Sequence, residues 1–349
     1  MGDEVGMAGD WDVRAMVAGF GGAVLVLAVL LWFVGVDAVI EQLAMVDLRI
    51  FALSIGASLV WLLAWGLALR SVLSSLGIHI SVRKVFLVYA AATFANNVTP
   101  FGQAGGEPFS ALLISRVTDN EYETGLAAIA SVDAINFVPS VGFALAAIAY
   151  YAATVTLTDR LADAAVVVVL MTVCLSAGAY VGWHNRYRVE EVVVRVVSPI
   201  IQRVGRLIPS RSPPTPDAIR HRIEGFFATI ERVATDRVSM LATLSFSAIG
   251  WLMLIVCLWL SMYALGLRGE GLFVAAMLAV PLGSVASVTP LPGGLGGIET
   301  VLLMILPTVT GVEAATISAA ILLHRIGTYW VPVLVGGSAT AALGAADRG

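Results

Sequence analysis

The sequence predicts an all-α membrane protein of two inverted-topology repeats, with six full transmembrane helices and two re-entrant helical hairpins. Three observations lead there. Of the 349 residues 59% are hydrophobic and 13% charged, and mean hydropathy is +0.91, which is more apolar surface than one water-soluble core can hide. Uncharged runs long enough to cross a bilayer lie between Arg14 and Asp37, Arg49 and Arg70, Asp133 and Asp159, Asp163 and His184, Arg237 and Arg268, and Arg325 and Asp347. Finally, two short stretches echo each other: Val98-Thr99-Pro100-Phe101-Gly102-Gln103-Ala104-Gly105-Gly106-Glu107 and Val288-Thr289-Pro290-Leu291-Pro292-Gly293-Gly294-Leu295-Gly296-Gly297-Ile298-Glu299. Each breaks an apolar segment, and a charge follows each glutamate at the same distance, 26 residues, at Asp133 (133 − 107) and Arg325 (325 − 299). Paired interruptions in corresponding halves point to a transporter binding site.

The N-terminal repeat is read over 1–153, with spans at about 14–36, 49–70 and 124–152 and a hairpin at about 85–116. The first run is flanked mostly by acids (Asp3, Glu4, Asp10 and Asp12 against Arg14) and is long for a signal sequence, so it is read as a retained helix. The hairpin turn is placed at Asn96 to Gly106. Eight ordinary spans would require a helix through Asn96, Asn97, Pro100 and Gly102, which give up backbone hydrogen bonds and helix propensity together. Non-helical backbone at membrane depth persists only where protein buries it or water reaches it. The C-terminal repeat is read over 163–349, with spans at about 163–183, 238–266 and 314–343 and a hairpin at about 271–312 that turns at Val288 to Gly297.

Within the C-terminal half, residues 184–237 form a basic linker with ten Arg against six acids, a local charge of +4 in a chain of net −4. The charge bias of short loops puts this linker on the cytoplasmic face. Counting spans backward then puts Arg14, Arg70, Arg83, Lys84, Arg116 and the N-terminus inside, with Asp37 to Asp47, Asp159 to Asp163 and Glu270 outside. The membrane is expected to be the cytoplasmic membrane of a prokaryote. Val192, Val193, Val196, Ile200, Val204, Leu207 and Ile208 alternate with Arg195, Arg203 and Arg206. This is the pattern of an interfacial amphipathic helix that anionic head groups attract, or of a solvated linker obeying the same charge rule. After the breaker at 209–214 a second helix is predicted, with Thr215 as N-cap and Pro216 at its first position.

The candidate site residues are the charges that fall inside apolar segments: Glu107, Asp133, Glu299, His324 and Arg325. A charge at the bilayer centre costs at least about 2.5–3.5 kcal/mol, so such residues are functional candidates by default. Asp133 lies ten residues after Glu123, roughly 15 Å of helix, and Arg325 twelve after Glu313, about 18 Å, so both reach mid-membrane. Arg325 can fork two hydrogen bonds to a phosphate or carboxylate; alternatively it forms a structural ion pair with Asp133 or Glu299. Half-helices beginning after Gly105-Gly106 and Gly296-Gly297 would aim unpaired N–H groups at the protein centre, an anion-binding arrangement, although glycines also serve close packing. Thr99, Pro100, Thr289, Pro290, Gly293 and Gly294 complete the two turns. Asn96, Asn97 and Asn136 line the same polar region or satisfy broken backbone. His324 points about 100° away from Arg325 around the helix and is a proton relay or a packed histidine. Cys174 and Cys257 read as packing residues, and no metal or other cofactor is expected.

The Asn96-Asn97-Val98-Thr99-Pro100 run with Gly105-Gly106-Glu107, the Thr289-Pro290-Leu291-Pro292-Gly293-Gly294-Leu295-Gly296-Gly297-Ile298-Glu299 stretch and an Arg in the last helix together resemble the flippase-like transmembrane domain of lysylphosphatidylglycerol synthases. The resemblance spans essentially the whole chain. It implies a lipid flippase or scramblase, without enzymatic activity of its own, that moves a phospholipid or a polyprenyl-phosphate-linked head group between leaflets through the cavity between the repeats. Members attached to a synthase carry a soluble aminoacyl-transferase domain after the membrane region; here the sequence ends soon after the last span, so a stand-alone member is expected. The implied partners are membrane lipids and a separate lipid-modifying enzyme or glycosyltransferase, not nucleic acid. In this reading a head-group phosphate sits between the two hairpin tips, held by Arg325 and half-helix N–H groups, while Glu107, Asp133 or Glu299 takes a cationic moiety or a coupling proton. A secondary transporter of a small solute or ion and an intramembrane polyprenyl-pyrophosphate phosphatase are the alternative readings. The first hairpin lacks the Pro-Gly-Gly of the second, which argues against symmetric roles for Glu107 and Glu299.

Overall fold

A computed structural model describes residues 13–99, 103–154, 216–289 and 291–346, with single positions between 177 and 195. The predicted span at 163–183, the amphipathic stretch at 192–208, the N-cap Thr215 and the turn residues Pro100, Gly102 and Pro290 lie wholly or largely outside the described residues. All regular structure among the described residues is helical. In chain order the helices are α1 (Val13–Val34), α2 (Val36–Ala44), α3 (Leu48–Ser75), α4 (Val82–Val98), α5 (Gln103–Thr118), α6 (Tyr122–Thr154), α7 (Pro216–Thr235), α8 (Arg237–Ala264), α9 (Leu272–Val285), α10 (Gly297–Thr310), α11 (Ala314–Arg325) and α12 (Val331–Ala346). Two short 3₁₀ turns, Ala286–Val288 and Pro292–Gly294, lie between α9 and α10, and a π-helical turn, Ile326–Trp330, joins α11 to α12. Five segments are long and apolar enough to cross a membrane, or six if α1 and α2 count as one bent span.

Helices α3 and α8 form the centre and are built alike. Each is 28 residues long. Each starts at an aspartate N-cap, with Asp47 accepting from the N–H groups of Arg49 and Ile50 and Asp236 from those of Val238 and Ser239, which satisfies donors that a helix start leaves unpaired. Each ends at a glycine with φ 80°, Gly77 and Gly266, in the left-handed conformation that closes a helix C-terminus cheaply only for glycine. The caps are separated by the same interval as the glycines, 189 residues (236 − 47 and 266 − 77). The two helices run antiparallel: the Asp47 N–H donates to the Ala264 carbonyl (2.9 Å) at one end, and Trp65 Nε1 donates to the Ser247 carbonyl (3.2 Å) further along. Between them Gly250 lies directly under the Trp65 indole, where no side chain fits, and Trp61, Trp65 and Trp251 stack edge to face. Lipid tails are as apolar as leucine, so small residues that let backbones approach, together with interhelical hydrogen bonds, hold such a pair together.

The outer elements repeat this plan. Helix α12 packs on α4, and α9 packs on α6; the amphipathic α2 packs on α11, and α7 packs on α6. Thus each short interrupted segment leans on the last long helix of the other half.

Two sequence expectations shift. Asn96 and Asn97 belong to helix α4, which continues to Val98 and stops where Thr99 turns extended ahead of Pro100, a residue type that disfavours helical conformation in its predecessor. Gly105 and Gly106 sit inside α5, which starts at Gln103 rather than after them. Gly106 is needed there because its missing side chain leaves room for the Asn96 amide of the packed α4. An unforeseen helix, α2, fills the connection after the first span, where the chain bends by 87° at Gly35 (φ 100°).

Candidate functional site

The second interruption is shaped by its glycines. Gly293, Gly294 and Gly296 have φ of 55°, 66° and 83°, a region costly for any residue with a Cβ, and they turn the chain twice between α9 and α10. Helix α1 covers this turn: a side chain at Gly296 would meet Val26, and one at Gly22 would meet Leu291. Gly296 is the N-cap of α10, which puts Glu299 in the first turn, folded back on its own helix start.

Both carboxylate oxygens of Glu299 are used. Oε2 accepts from the Gly296 N–H (2.6 Å) and Oε1 from Arg325 Nε (2.6 Å). The guanidinium also donates from Nη2 to the Gly293 carbonyl (3.0 Å), so Arg325 ties α11 to the turn as well as to α10. Glu299 and Arg325 are 4% and 7% exposed. Charges this buried persist when paired and hydrogen-bonded, and this pair meets both conditions. The carboxylate therefore occupies an anion site made of one arginine and one helix N-terminus.

Tyr329, one helical turn beyond Arg325, carries the network into the other half. The guanidinium lies 5.2 Å from the centre of its ring, and its hydroxyl donates to the Asn97 carbonyl (3.2 Å) at the end of α4. The Asn97 side chain itself abuts Gly293. Sequence reading missed Tyr329; its position four residues after Arg325 on one helix face was the available signal.

The remaining candidates divide into two groups. Glu107 of α5 and Asp133 of α6 lie within electrostatic range of each other, and Tyr89 of α4 lies within range of Asp133. Asn96 Oδ1, Asp133 Oδ2 and Asn136 Oδ1 are buried atoms without a hydrogen-bond partner among the described residues, as is Asn97 Nδ2. His324 is buried, and its Nδ1 has no hydrogen-bond partner among the described residues. Thr99 closes α4 through its hydroxyl on the Ala95 carbonyl (2.7 Å), and Thr289 packs against Gly297. Cys257 is buried against Gly327, a packing role.

Two narrow crevices open between the helices. One, about 20 Å³, lies between α1, α10 and α11, lined by Leu27, Leu30, Leu31, Leu303 and Glu299. The other, about 30 Å³, lies between α6 and α9, where Phe137 and Ala144 face Pro281 and Val285. A wider polar cavity of about 490 Å³, lined by His79, Ser81 and Lys84, sits at the loop after α3, away from the buried charges.

Residues 16–336 match the model of the lysylphosphatidylglycerol synthase transmembrane region. A UPF0104 membrane protein of Pyrococcus horikoshii is 26% identical over 322 residues, covering 90% of this chain and 93% of its own length. One from Methanothermobacter thermautotrophicus is 25% identical over 332 residues, covering 93% and 92%. With its apolar helices and a match over nearly its full length, the chain is a multi-pass membrane protein that belongs to the family of the lysylphosphatidylglycerol synthase transmembrane region.

Proposed function

We propose that this protein carries a phosphate-bearing lipid between membrane leaflets, without altering it chemically, through a site made by Arg325 and the N-terminus of α10. The observation that carries this reading is the leucine-lined crevice between α1, α10 and α11, whose lining includes Glu299, the partner of Arg325: an apolar approach beside a buried anion site. An apolar lining favours a ligand that carries acyl chains, and at about 20 Å³ the crevice has to widen before such a chain enters. Glu299 holds the site in this conformation, and an incoming head-group phosphate takes over Arg325 and the Gly296 N–H as Glu299 swings away. Arginine suits this exchange because its planar fork fits phosphate and carboxylate alike.

The framework for movement is an inverted repeat, residues 1–153 against 163–349, with α4–α5 and α9–α10 as re-entrant hairpins and 184–237 on the cytoplasmic side. Supporting this, the matching helices α3 and α8 run antiparallel, and their caps recur at a constant interval. The four hairpin arms are 17, 16, 14 and 14 residues long. At helical rise they reach about 21–25 Å, short of a hydrocarbon core of about 30 Å. With Pro292–Gly294, which bends the path, the last arm becomes the 19-residue segment Pro292–Thr310, one of the five that are long and apolar enough to cross, so the shortfall in length holds for the other three arms. Rocking of one repeat against the other then exposes the site to each leaflet in turn.

The test is reconstitution into vesicles with labelled phosphatidylglycerol, a polyprenyl phosphate and a neutral diacylglycerol, scored by leaflet accessibility. The protein should accelerate the phosphate-bearing lipids over protein-free vesicles and should not accelerate the neutral lipid, which crosses a bilayer unaided. Arg325→Lys should slow that movement while leaving a folded protein. Equal acceleration of all three lipids, or a wild-type rate in Arg325→Lys, overturns the reading.

A further inference from the structure

The two halves carry different chemistry at matching positions. Glu107 and Asp133 in the first half correspond in spacing to Glu299 and Arg325 in the second, both pairs being 26 residues apart. In the second half the pair neutralises itself, Arg325 on Glu299 at 2.6 Å. In the first half an acid stands where the arginine belongs. Among the described residues of the helices packed on α6, namely α3, α5, α7, α8 and α9, the charged group within electrostatic range of Asp133 is Glu107 of α5, and Tyr122 at the start of α6 lies within range of Glu107. Tyr89 of α4 also lies within electrostatic range of Asp133.

A second observation is that buried oxygens without hydrogen-bond partners lie on the helices that carry these acids. Asn136, one turn beyond Asp133 on the same helix and 5% exposed, has an amide oxygen without a partner among the described residues, as does Asp133 at Oδ2. Asn96 has a third such oxygen, seated over Gly106 immediately before Glu107. Amide and carboxylate oxygens, with no nitrogen or sulfur donor among them, are ligands for a hard cation.

We propose that Glu107 and Asp133, completed by the amide oxygens of Asn96 and Asn136, bind one small cation, Na⁺ or H⁺, which supplies the positive charge that Arg325 supplies in the other half. The inference rests on the repeat correspondence described above. It assigns ion binding to the first half and anion binding to the second, so that a phosphate-bearing cargo and a coupling cation occupy separate, symmetry-related places. Glu299, engaged by Arg325 and by its own helix start, is not the coupling acid.

The experiment is thermal unfolding of the purified full-length chain in detergent, with no lipid cargo, at constant ionic strength. NaCl is exchanged for N-methylglucamine chloride, and pH is varied at fixed NaCl. A saturating cation should raise the wild-type Tm by roughly 5–10 °C. A response to Na⁺ at alkaline pH identifies Na⁺; a response to acidification alone identifies H⁺. Glu107→Gln and Asp133→Asn should each lose the response. Asp133→Arg should reach the ion-loaded Tm without any ion, because it recreates in the first half the pair found in the second. A wild type whose Tm follows neither ion overturns the proposal, however the variants behave. So does a full response retained in the Glu107→Gln, Asp133→Asn double variant. Because nothing is transported in this assay, its failure and the failure of the lipid-carrier reading are separate results.

Discussion

Replacing Glu299 by Gln should move stability and cargo affinity in opposite directions. In the resting arrangement each carboxylate oxygen accepts one short bond, from the Gly296 N–H and from Arg325 Nε. An amide of the same shape offers one neutral oxygen and one NH₂ group, so it can keep one of these bonds but must face the other donor with a donor of its own. Removing one partner of a buried ion pair costs about 3–5 kcal/mol, and the bond that the amide retains returns about 1 kcal/mol, leaving a loss of about 2–4 kcal/mol. At 2–4 °C per kcal/mol, Tm should fall by roughly 5–15 °C. The same loss frees Arg325 and the start of α10 from their resident anion, so a phosphate no longer competes with a tethered carboxylate. Half-saturation by a phosphate-bearing lipid should therefore occur at a lower concentration, by about tenfold for each 1.4 kcal/mol of competition removed. The assay pairs differential scanning fluorimetry with concentration-dependent flipping in vesicles, on the same preparation. If Tm and lipid affinity both fall, Glu299 is structural support for a site that lies elsewhere, and the exchange mechanism is wrong.

Two further outcomes follow from the packing. Gly250→Ala puts a methyl group into the Trp65 indole at the α3–α8 contact, and overpacking of this kind should cost about 1–3 kcal/mol in unfolding measurements; an unchanged Tm would show that the central pair is loose enough to absorb a side chain. Tyr329→Phe removes the one hydrogen bond described from the Arg325 helix to the end of α4, about 0.5–1.5 kcal/mol, and should speed exchange between conformations, read as a higher flipping rate at saturating lipid. A rate equal to wild type would mean that this contact does not resist movement.

Much of this arrangement was legible in the sequence, for identifiable reasons. Apolar runs bounded by charges locate α3, α6, α8 and the α11–α12 segment, because a bilayer requires about that length of uncharged helix whatever the tertiary partners are. Pro100, Pro290 and the cluster Gly293, Gly294 and Gly296 locate the interruptions, because backbone restrictions are local. The equal spacing of Glu107 to Asp133 and Glu299 to Arg325 was also visible, since it is a count along the chain.

What a count along the chain leaves open is which charge meets which. Arg325 could have paired with Asp133 or with Glu299, and the choice was made by the turn at Gly293 to Gly296, which folds Glu299 back on its helix start within reach of α11. Tyr329 joined the site because Asn97 lies across from it in another helix, 232 residues away in sequence. Helix α2, and the burial of Gly250 under Trp65, likewise depend on neighbours that no local pattern names. Sequence by itself determined the long apolar helices α3, α6 and α8, the place of the second interruption and the residue types available for binding, since these follow from local backbone chemistry and from partition into lipid. Only tertiary structure decided the pairing of the buried charges, because the energy of an ion inside a membrane protein is set by the few atoms that surround it.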